Sequence, residues 1–260
     1  MITEIATVKE AGKLAEGIYS LWLETGIAAL SRPGQFVGVY PKGEATLLQR
    51  PISICDVSDD RRSLRLVFRV AGKGTAEFAG YGKGDKVRLL GPCGNGFDTE
   101  GDEKKILLVG GGIGVPPMLG LGRALKASGR DMEYVIGYRT DDKFLYEELC
   151  ETAGVEKVHI ATDDGSFGTH GTVLDAIREK GLKADLICAC GPMPMLKALK
   201  AYAAGEGIKA YISLEERMAC GVGACLGCVC RTVKKDEHSG VNNARVCVEG
   251  PVFDARDVDI

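Results

Sequence analysis

Lys105-Ile-Leu-Leu-Val109-Gly-Gly-Gly-Ile-Gly-Val-Pro-Pro117 is the stretch that decides the fold. An apolar run of strand length ends in a glycine loop. Two prolines then suit the first turn of a helix, where the missing N–H has no intrahelical partner to lose. The spacing predicts a strand at 105–109 and a helix over about 116–128. A glycine loop at a helix N-terminus fits a pyrophosphate, because backbone N–H groups and the helix dipole both favour an anion there. The glycines are not spaced as G-x-G-x-x-G, and Gly137-Tyr-Arg-Thr140 offers no acidic residue at the end of the second strand. The unit therefore predicts dinucleotide binding of a kind other than the standard Rossmann site.

Downstream, the strand–helix alternation continues. Apolar runs at 133–138, 157–161, 185–190 and 209–213 read as strands, and helical patterns lie near 144–150, 172–180 and 193–206. Alternation of this kind predicts a five-stranded parallel sheet with helices on both faces. Ligands bind at the carboxyl ends of such strands. Cys190-Gly-Pro192 and Asp163-Asp-Gly-Ser166 both fall there. Cys190 also reads as a buried strand residue like Cys188, and the aspartate run as a plain turn.

Upstream, six short strands at 2–8, 18–24, 35–40, 52–57, 64–70 and 86–90 are divided by turns with no long helix between them, which predicts a small antiparallel barrel. The chain thus divides into three: a barrel over 1–100, an α/β domain over 101–213, and a cysteine- and glycine-rich segment over 214–260. The 260 residues are 45% hydrophobic, enough for two cores. The net charge is −3 without a basic run, so neither a nucleic-acid footprint nor a polybasic membrane patch is present. Met1–Glu10 mixes charges with apolar residues, unlike a secretory signal, and no apolar run has the length of a membrane span. The expectation is a cytoplasmic protein.

Five of the ten cysteines crowd between Cys220 and Cys247. Cys220, Cys225 and Cys228 follow the C-x4-C-x2-C spacing, with Cys247 distant. This is the plant-type [2Fe–2S] pattern. Two irons and two sulfides need four thiolates around a flat rhomb, which one tight loop and one distant residue can clasp. Gly221, Gly223 and Gly227 let the loop wrap closely and aim N–H groups at sulfur. A zinc site competes with this reading, but zinc usually takes two short-spaced pairs and only Cys225 and Cys228 form one. Cys230 reads as a buried strand residue, with a ligand exchange against Cys228 left open. The polar run 234–240 lengthens the connection to Cys247 and leaves that ligand the least constrained.

A second dinucleotide site is expected in the barrel. Arg50 can bond a pyrophosphate bidentately. Pro51 stiffens the turn and has no N–H to satisfy, and Ser53 offers a hydroxyl at the edge of a flavin. Gly72 and Gly74 permit close approach to phosphate, and Thr75 can cap the helical turn that follows.

Arg50-Pro-x-Ser53, the glycine loop and Cys190-Gly-Pro192, in that order, resemble the ferredoxin–NADP reductase superfamily. The likeness implies an FAD barrel followed by a nicotinamide domain. The run from Ser213 through Cys228, Val246–Phe253 and Thr162–Gly171 are similar to the electron-transfer subunits of type B dihydroorotate dehydrogenases. That resemblance implies an FMN-containing catalytic partner that oxidises dihydroorotate in pyrimidine biosynthesis. It also implies electrons passing through [2Fe–2S] and FAD to NAD⁺, and a heterotetramer of two subunits of each kind. By motif position it places FAD at Arg50, Pro51, Ile52, Ser53, Val67, Phe68, Arg69, Gly74 and Thr75. The nicotinamide falls at Gly111, Gly112, Gly114, Cys190, Gly191 and Pro192, and the cluster at Cys220, Cys225, Cys228 and Cys247. No acid–base catalytic residue is expected, since the pyrimidine chemistry belongs to the partner; His159, His170 and His238 read as structural or solvated. Two alternatives stand beside this reading. One is a reductase subunit of a sulfide dehydrogenase or bifurcating NADH–ferredoxin transhydrogenase, and the other is a non-enzymatic, zinc-stabilised binding module.

Overall fold

The computed structural model describes residues 1–43, 46–235 and 240–260. The first six strands are β1 (Ile2–Ala15), β2 (Ile18–Glu24), β3 (Phe36–Tyr40), β4 (Arg50–Val57), β5 (Ser63–Arg69) and β6 (Lys86–Cys93). They close a barrel in the order β1-β2-β5-β4-β3-β6, every recorded pairing antiparallel. Short helices α1 (Ile27–Leu30) and α2 (Lys73–Ala79) cross between strands. Alternating inward residues such as Leu21, Leu23, Leu64, Leu66 and Phe68 fill the interior. β1 runs to Ala15, beyond the expected end at Val8. Its polar second half shows no apolar alternation, but hairpin pairing with β2 holds it as far as Ala15 opposite Ile18.

The α/β unit follows with β7 (Ile106–Gly111), α3 (Val115–Ala127), β8 (Met132–Tyr138), α4 (Tyr146–Ala153), β9 (Val158–Thr162), β10 (Thr169–His170), α5 (Val173–Glu179), β11 (Leu186–Cys190), α6 (Met193–Glu206) and β12 (Lys209–Ser213). The five expected parallel strands are present in the order β9-β8-β7-β11-β12, and two short strands extend them. β10 adds in parallel beside β9. β15 (Val252–Asp254), from the C-terminal segment, pairs antiparallel with β12. The remaining pair, β13 (Val229–Arg231) and β14 (Asn243–Arg245), forms a small hairpin. Cys228, Cys230, Val246 and Cys247 pack into the same apolar cluster as α5 and α6, so the cysteine segment shares the core on one face of the sheet.

On the other face α3 lies directly on β4. Gly120 makes this possible, since a Cβ there would stand 2.1 Å from the Cys55 carbonyl oxygen. Ile18, Cys55 and Val67 of the barrel merge into one core with Val115, Met118 and Leu119 of α3. A chain of charges runs along the same seam. Arg65 donates to Glu148 at 2.7 Å and to the Ser20 hydroxyl at 2.8 Å, while Arg123 bonds both Glu148 and Asp56. Burial raises the Asp56 pKa even against the pull of Arg123, so its charge is tolerated only because it is paired. Replacing Arg123 with Ala is therefore expected to destabilise the protein by about 1–3 kcal/mol at neutral pH. The cost should shrink as pH falls through the raised Asp56 pKa, and adding Asp56→Asn should recover part of it. Urea unfolding of the two variants against pH checks both signs.

Candidate functional site

The barrel opens between β4 and β5. These strands pair at Ile54↔Leu66, Asp56↔Arg65 and Val57↔Leu64 and no further. Beyond that point Arg50–Ser53 pairs only with β3, and Val67–Arg69 only with β2. The two sequence motifs therefore form the facing lips of a slit. Backbone polar groups along such lips need partners, and the four residues Arg50–Ser53 are all half-buried. Pro51 lies within β4 rather than in a turn, which an edge without a neighbour on one side permits. Val67 and Phe68 point their side chains into the cores, leaving their backbone at the lip.

Arg50 lies against the start of α2. A Cβ on Gly74 would meet its Nε at 2.9 Å. Nη1 of Arg50 donates to the Leu48 carbonyl at 2.7 Å. Thr75 occupies the third position of α2 rather than its cap. Its hydroxyl reaches back to accept from Gly72 N (3.1 Å) and Ala71 N (2.9 Å), which fixes the loop beneath the arginine. An arginine over a glycine-rich helix start beside an open strand edge is a fit for the pyrophosphate and ring of a flavin dinucleotide.

Arg69, at the end of β5, reaches across to the glycine loop after β7, with Nη2 3.6 Å from where a Gly112 Cβ would stand. Between them lies a cleft of about 860 Å³, lined by Gly111, Gly112, Tyr138, Gly191 and Pro192. Gly114 does not line the cleft; it is buried against the Cys190 carbonyl, 2.2 Å from where its Cβ would stand. The Cys190 thiol does not line the cleft. It sits in the core beside Ser213, where burial pushes its pKa up to about 12. Asp163 borders the cleft, whereas Asp164 is occupied in a local turn with Ser166. His159 is paired with Glu133 at 2.7 Å and His170 is exposed; His238 lies outside the described residues.

Glu215 also lines the cleft, two residues past the end of β12. Its carboxyl is open to the cleft rather than sealed in the core. The walls still strip away enough water to raise its pKa, against the opposing charge of Arg69. In the sequence it reads as part of a solvated charged run, Glu215-Glu-Arg217. Its place at the carboxyl edge of the last parallel strand is the signal that could have singled it out.

The C-terminal thiols stand as two pairs. All four are free thiols, Cys220 within hydrogen-bonding reach of Cys225 and Cys247 of Cys228. Backbone N–H groups of Val222, Ala224 and Cys225 converge on the Cys220 sulfur and, with Val222 foremost, lower its pKa to about 6. Burial and the neighbouring Cys228 push Cys247 up to about 12. Among the described residues no three metal-ligating side chains converge on one point. Two thiol pairs, one of them in a nest of N–H donors, suit a two-iron rhomb in which each iron takes two thiolates. Cys230 is buried in β13 opposite Ala244. Part of the polar run 234–240 lies outside the described residues.

Two regions of the chain match known domain families. Residues 108–201 match the oxidoreductase NAD-binding domain, and residues 215–259 match the iron-sulfur cluster binding domain of dihydroorotate dehydrogenase B. The electron transfer subunit of dihydroorotate dehydrogenase B (NAD(+)) from Bacillus velezensis is 41% identical over 256 residues, 97% of each chain. The Bacillus cereus subunit of the same name is 42% identical over 93% of this chain and 92% of that one. Among solved structures, a chain from an NADH-dependent reduced ferredoxin-NADP oxidoreductase, studied for flavin-based electron bifurcation, superposes with a TM-score of 0.85. It is 29% identical and covers 98% of this chain and 90% of its own. Phthalate dioxygenase reductase shares the fold, with a TM-score of 0.66 at 19% identity over 95% of this chain and 94% of that one. No helix among the described residues is long and apolar enough to cross a membrane. With 41% identity along nearly its whole length, the chain belongs to the family of dihydroorotate dehydrogenase B (NAD(+)) electron transfer subunits.

Proposed function

We propose that this chain carries electrons from an FMN-containing, dihydroorotate-oxidising partner to NAD⁺, using FAD in the barrel slit and a [2Fe–2S] centre on Cys220, Cys225, Cys228 and Cys247. As a member of its family the chain is an oxidoreductase subunit that works with a catalytic dihydroorotate dehydrogenase. The observation that carries the cofactor assignment is the slit, whose two lips are the two motif stretches, facing a second dinucleotide cleft across Arg69. When bound, the flavin exchanges a hydride with nicotinamide and single electrons with the cluster.

The residues of the chain bind and orient. Arg50, with Gly74 behind it, holds phosphate charge at the slit. Ser53 and the backbone of Val67–Arg69, at the lips of the slit, would supply polar groups to hold the flavin. Gly111, Gly112, Gly191 and Pro192 shape the nicotinamide cleft. A Glu215 carboxylate in that wall favours a cationic ring over a neutral one, and so favours NAD⁺ over NADH while it is ionised. Leu47, Leu48, Val222, Leu226, Val229 and Val248 are all exposed, and they belong to the cluster loop or to segments beside it. We assign this apolar patch to the catalytic partner, in a heterotetramer of two subunits of each kind. The structural neighbour linked to electron bifurcation makes a reductase subunit of that class the second reading; it superposes over 98% of this chain but is less similar in sequence.

Cys225→Ser is expected to stop electron flow from the partner to FAD while NADH still reduces FAD directly. Stopped-flow absorbance on the co-purified complex reads both steps, and normal dihydroorotate-to-NAD⁺ turnover in the variant would contradict the cluster assignment. For Glu215, the rate with NAD⁺ should rise with pH through a value above the ordinary carboxylate range. Glu215→Gln should flatten that limb and lower kcat/KM for NAD⁺ roughly 10-fold, the equivalent of about one pKa unit of interaction. A pH profile unchanged by the substitution would remove Glu215 from the site.

A further inference from the structure

Gln49 immediately precedes the Arg50 motif, yet its side chain turns away from the slit. It is 2% exposed. Its Nε2 donates to the Cys220 carbonyl at 2.7 Å, across 171 residues of sequence. Its Oε1 is buried and has no hydrogen-bond partner. Two glycines make room for this amide. A Cβ on Gly38 would stand 1.2 Å from Oε1, and one on Gly221 would stand 2.0 Å from Nε2. Gly38 belongs to the barrel and Gly221 to the cysteine loop. Exchanging the amide's two ends would set Oε1 against the Cys220 carbonyl, acceptor against acceptor, so the orientation is fixed by the contact it makes.

An orphaned buried acceptor is a cost that an apolar side chain of the same length would avoid. A methionine would fill the slot and stabilise the barrel, but it could not donate to Cys220. The arrangement retains the donor and accepts the orphan. The hydrogen bond it protects joins the backbone beside the flavin-binding arginine to the backbone of the first thiol of the cluster loop. That loop is otherwise exposed at Val222, Cys225 and Leu226.

We propose that Gln49 is a positioning residue for electron exchange between flavin and cluster: its amide pins the Cys220 carbonyl to the lip of the barrel and so fixes the loop's distance and the orientation of its N–H groups toward the Cys220 sulfur. The proposal rests on the ligand and flavin assignments made above. Groups that orient metal ligands from outside the ligand set are typically worth 10–100-fold in affinity or rate. The effect here falls on the step between the two cofactors.

The test uses the co-expressed complex, prepared anaerobically, as wild type and as Gln49→Met. Iron, acid-labile sulfide and flavin in the wild type come first. Their absence there sinks the cofactor reading itself, apart from any role of Gln49. Given a loaded wild type, NADH is mixed with each protein, and flavin bleaching and cluster reduction are followed separately. The ratio of the cluster-reduction rate to the flavin-reduction rate is expected to fall roughly 10-fold in Gln49→Met. The electron paramagnetic resonance signal of the reduced cluster should shift, because the N–H groups around Cys220 are re-aimed. Gly38→Ala, which keeps Gln49 but drives its amide out of the slot, should reproduce the spectral shift and the altered ratio. An unchanged ratio and signal in Gln49→Met would overturn the proposal. So would loss of flavin and cluster together in both variants, which would make the residue a structural element and nothing more.

Discussion

The architecture depends on one close approach, that of Gly120 in α3 to the Cys55 carbonyl of β4. A helix can lie this flat on a barrel strand only where it carries no side chain. Because it does, Val115, Met118 and Leu119 share a core with Ile18, Cys55 and Val67, and the two units become one packed body along that line. The consequence appears at the far end of the same elements. β5 ends at Arg69 and α3 begins just past Gly112–Gly114, so seating α3 on β4 also sets Arg69 opposite the glycine loop. The cleft is therefore defined by core packing some distance behind it. The Asp56–Arg123–Glu148–Arg65 chain adds direction to a contact that apolar packing alone would leave free to slide.

The C-terminal segment has little core of its own and borrows from both neighbours. β15 extends the sheet beyond β12, and Cys228 and Cys247 pack against α5 and α6. Asn95, past the end of β6, is bonded to it four ways: its backbone N–H to the Gly250 carbonyl at 2.6 Å, Nδ2 to the carbonyls of Glu249 and Val252, each at 2.8 Å, and Oδ1 accepting from the Val252 N–H at 3.0 Å. Gln49 supplies a further tie on the opposite side of the cysteine loop. A segment held by the barrel at two points and by the sheet at a third cannot shift relative to the slit without breaking these hydrogen bonds.

Much of this was legible in the sequence, and the exceptions have physical reasons. Barrel strands alternate and parallel strands are apolar throughout, so the period and the run length mark them. β10 and β15 have two and three residues, too few for any period, and exist because β9 and β12 would otherwise leave open edges. The glycine and arginine motifs were visible because glycine and arginine are chemically distinctive. The Cys190 thiol was expected beside a ligand, but it shares a strand face with Cys188, and alternation alone places both in the core. Gln49 carries no local mark at all. Its role exists only once residues 38, 49 and 220 are brought together by the fold.

The two thiol pairs differ in a way that bears on electron traffic. Cys228 and Cys247 are almost wholly buried, whereas Cys225 is exposed and Cys220 half-exposed beneath a nest of N–H groups. The outer pair sits within the apolar patch assigned to the partner, and the same pair is tied to the flavin barrel through Gln49. On the proposed assignment, entry and exit of electrons converge on one loop, which must stay uncovered for the partner and still be fixed in place for the flavin. Burying the loop would satisfy the second demand and defeat the first. A single buried amide reaching up from the barrel satisfies both, since it restrains the loop from beneath and leaves its outer surface free.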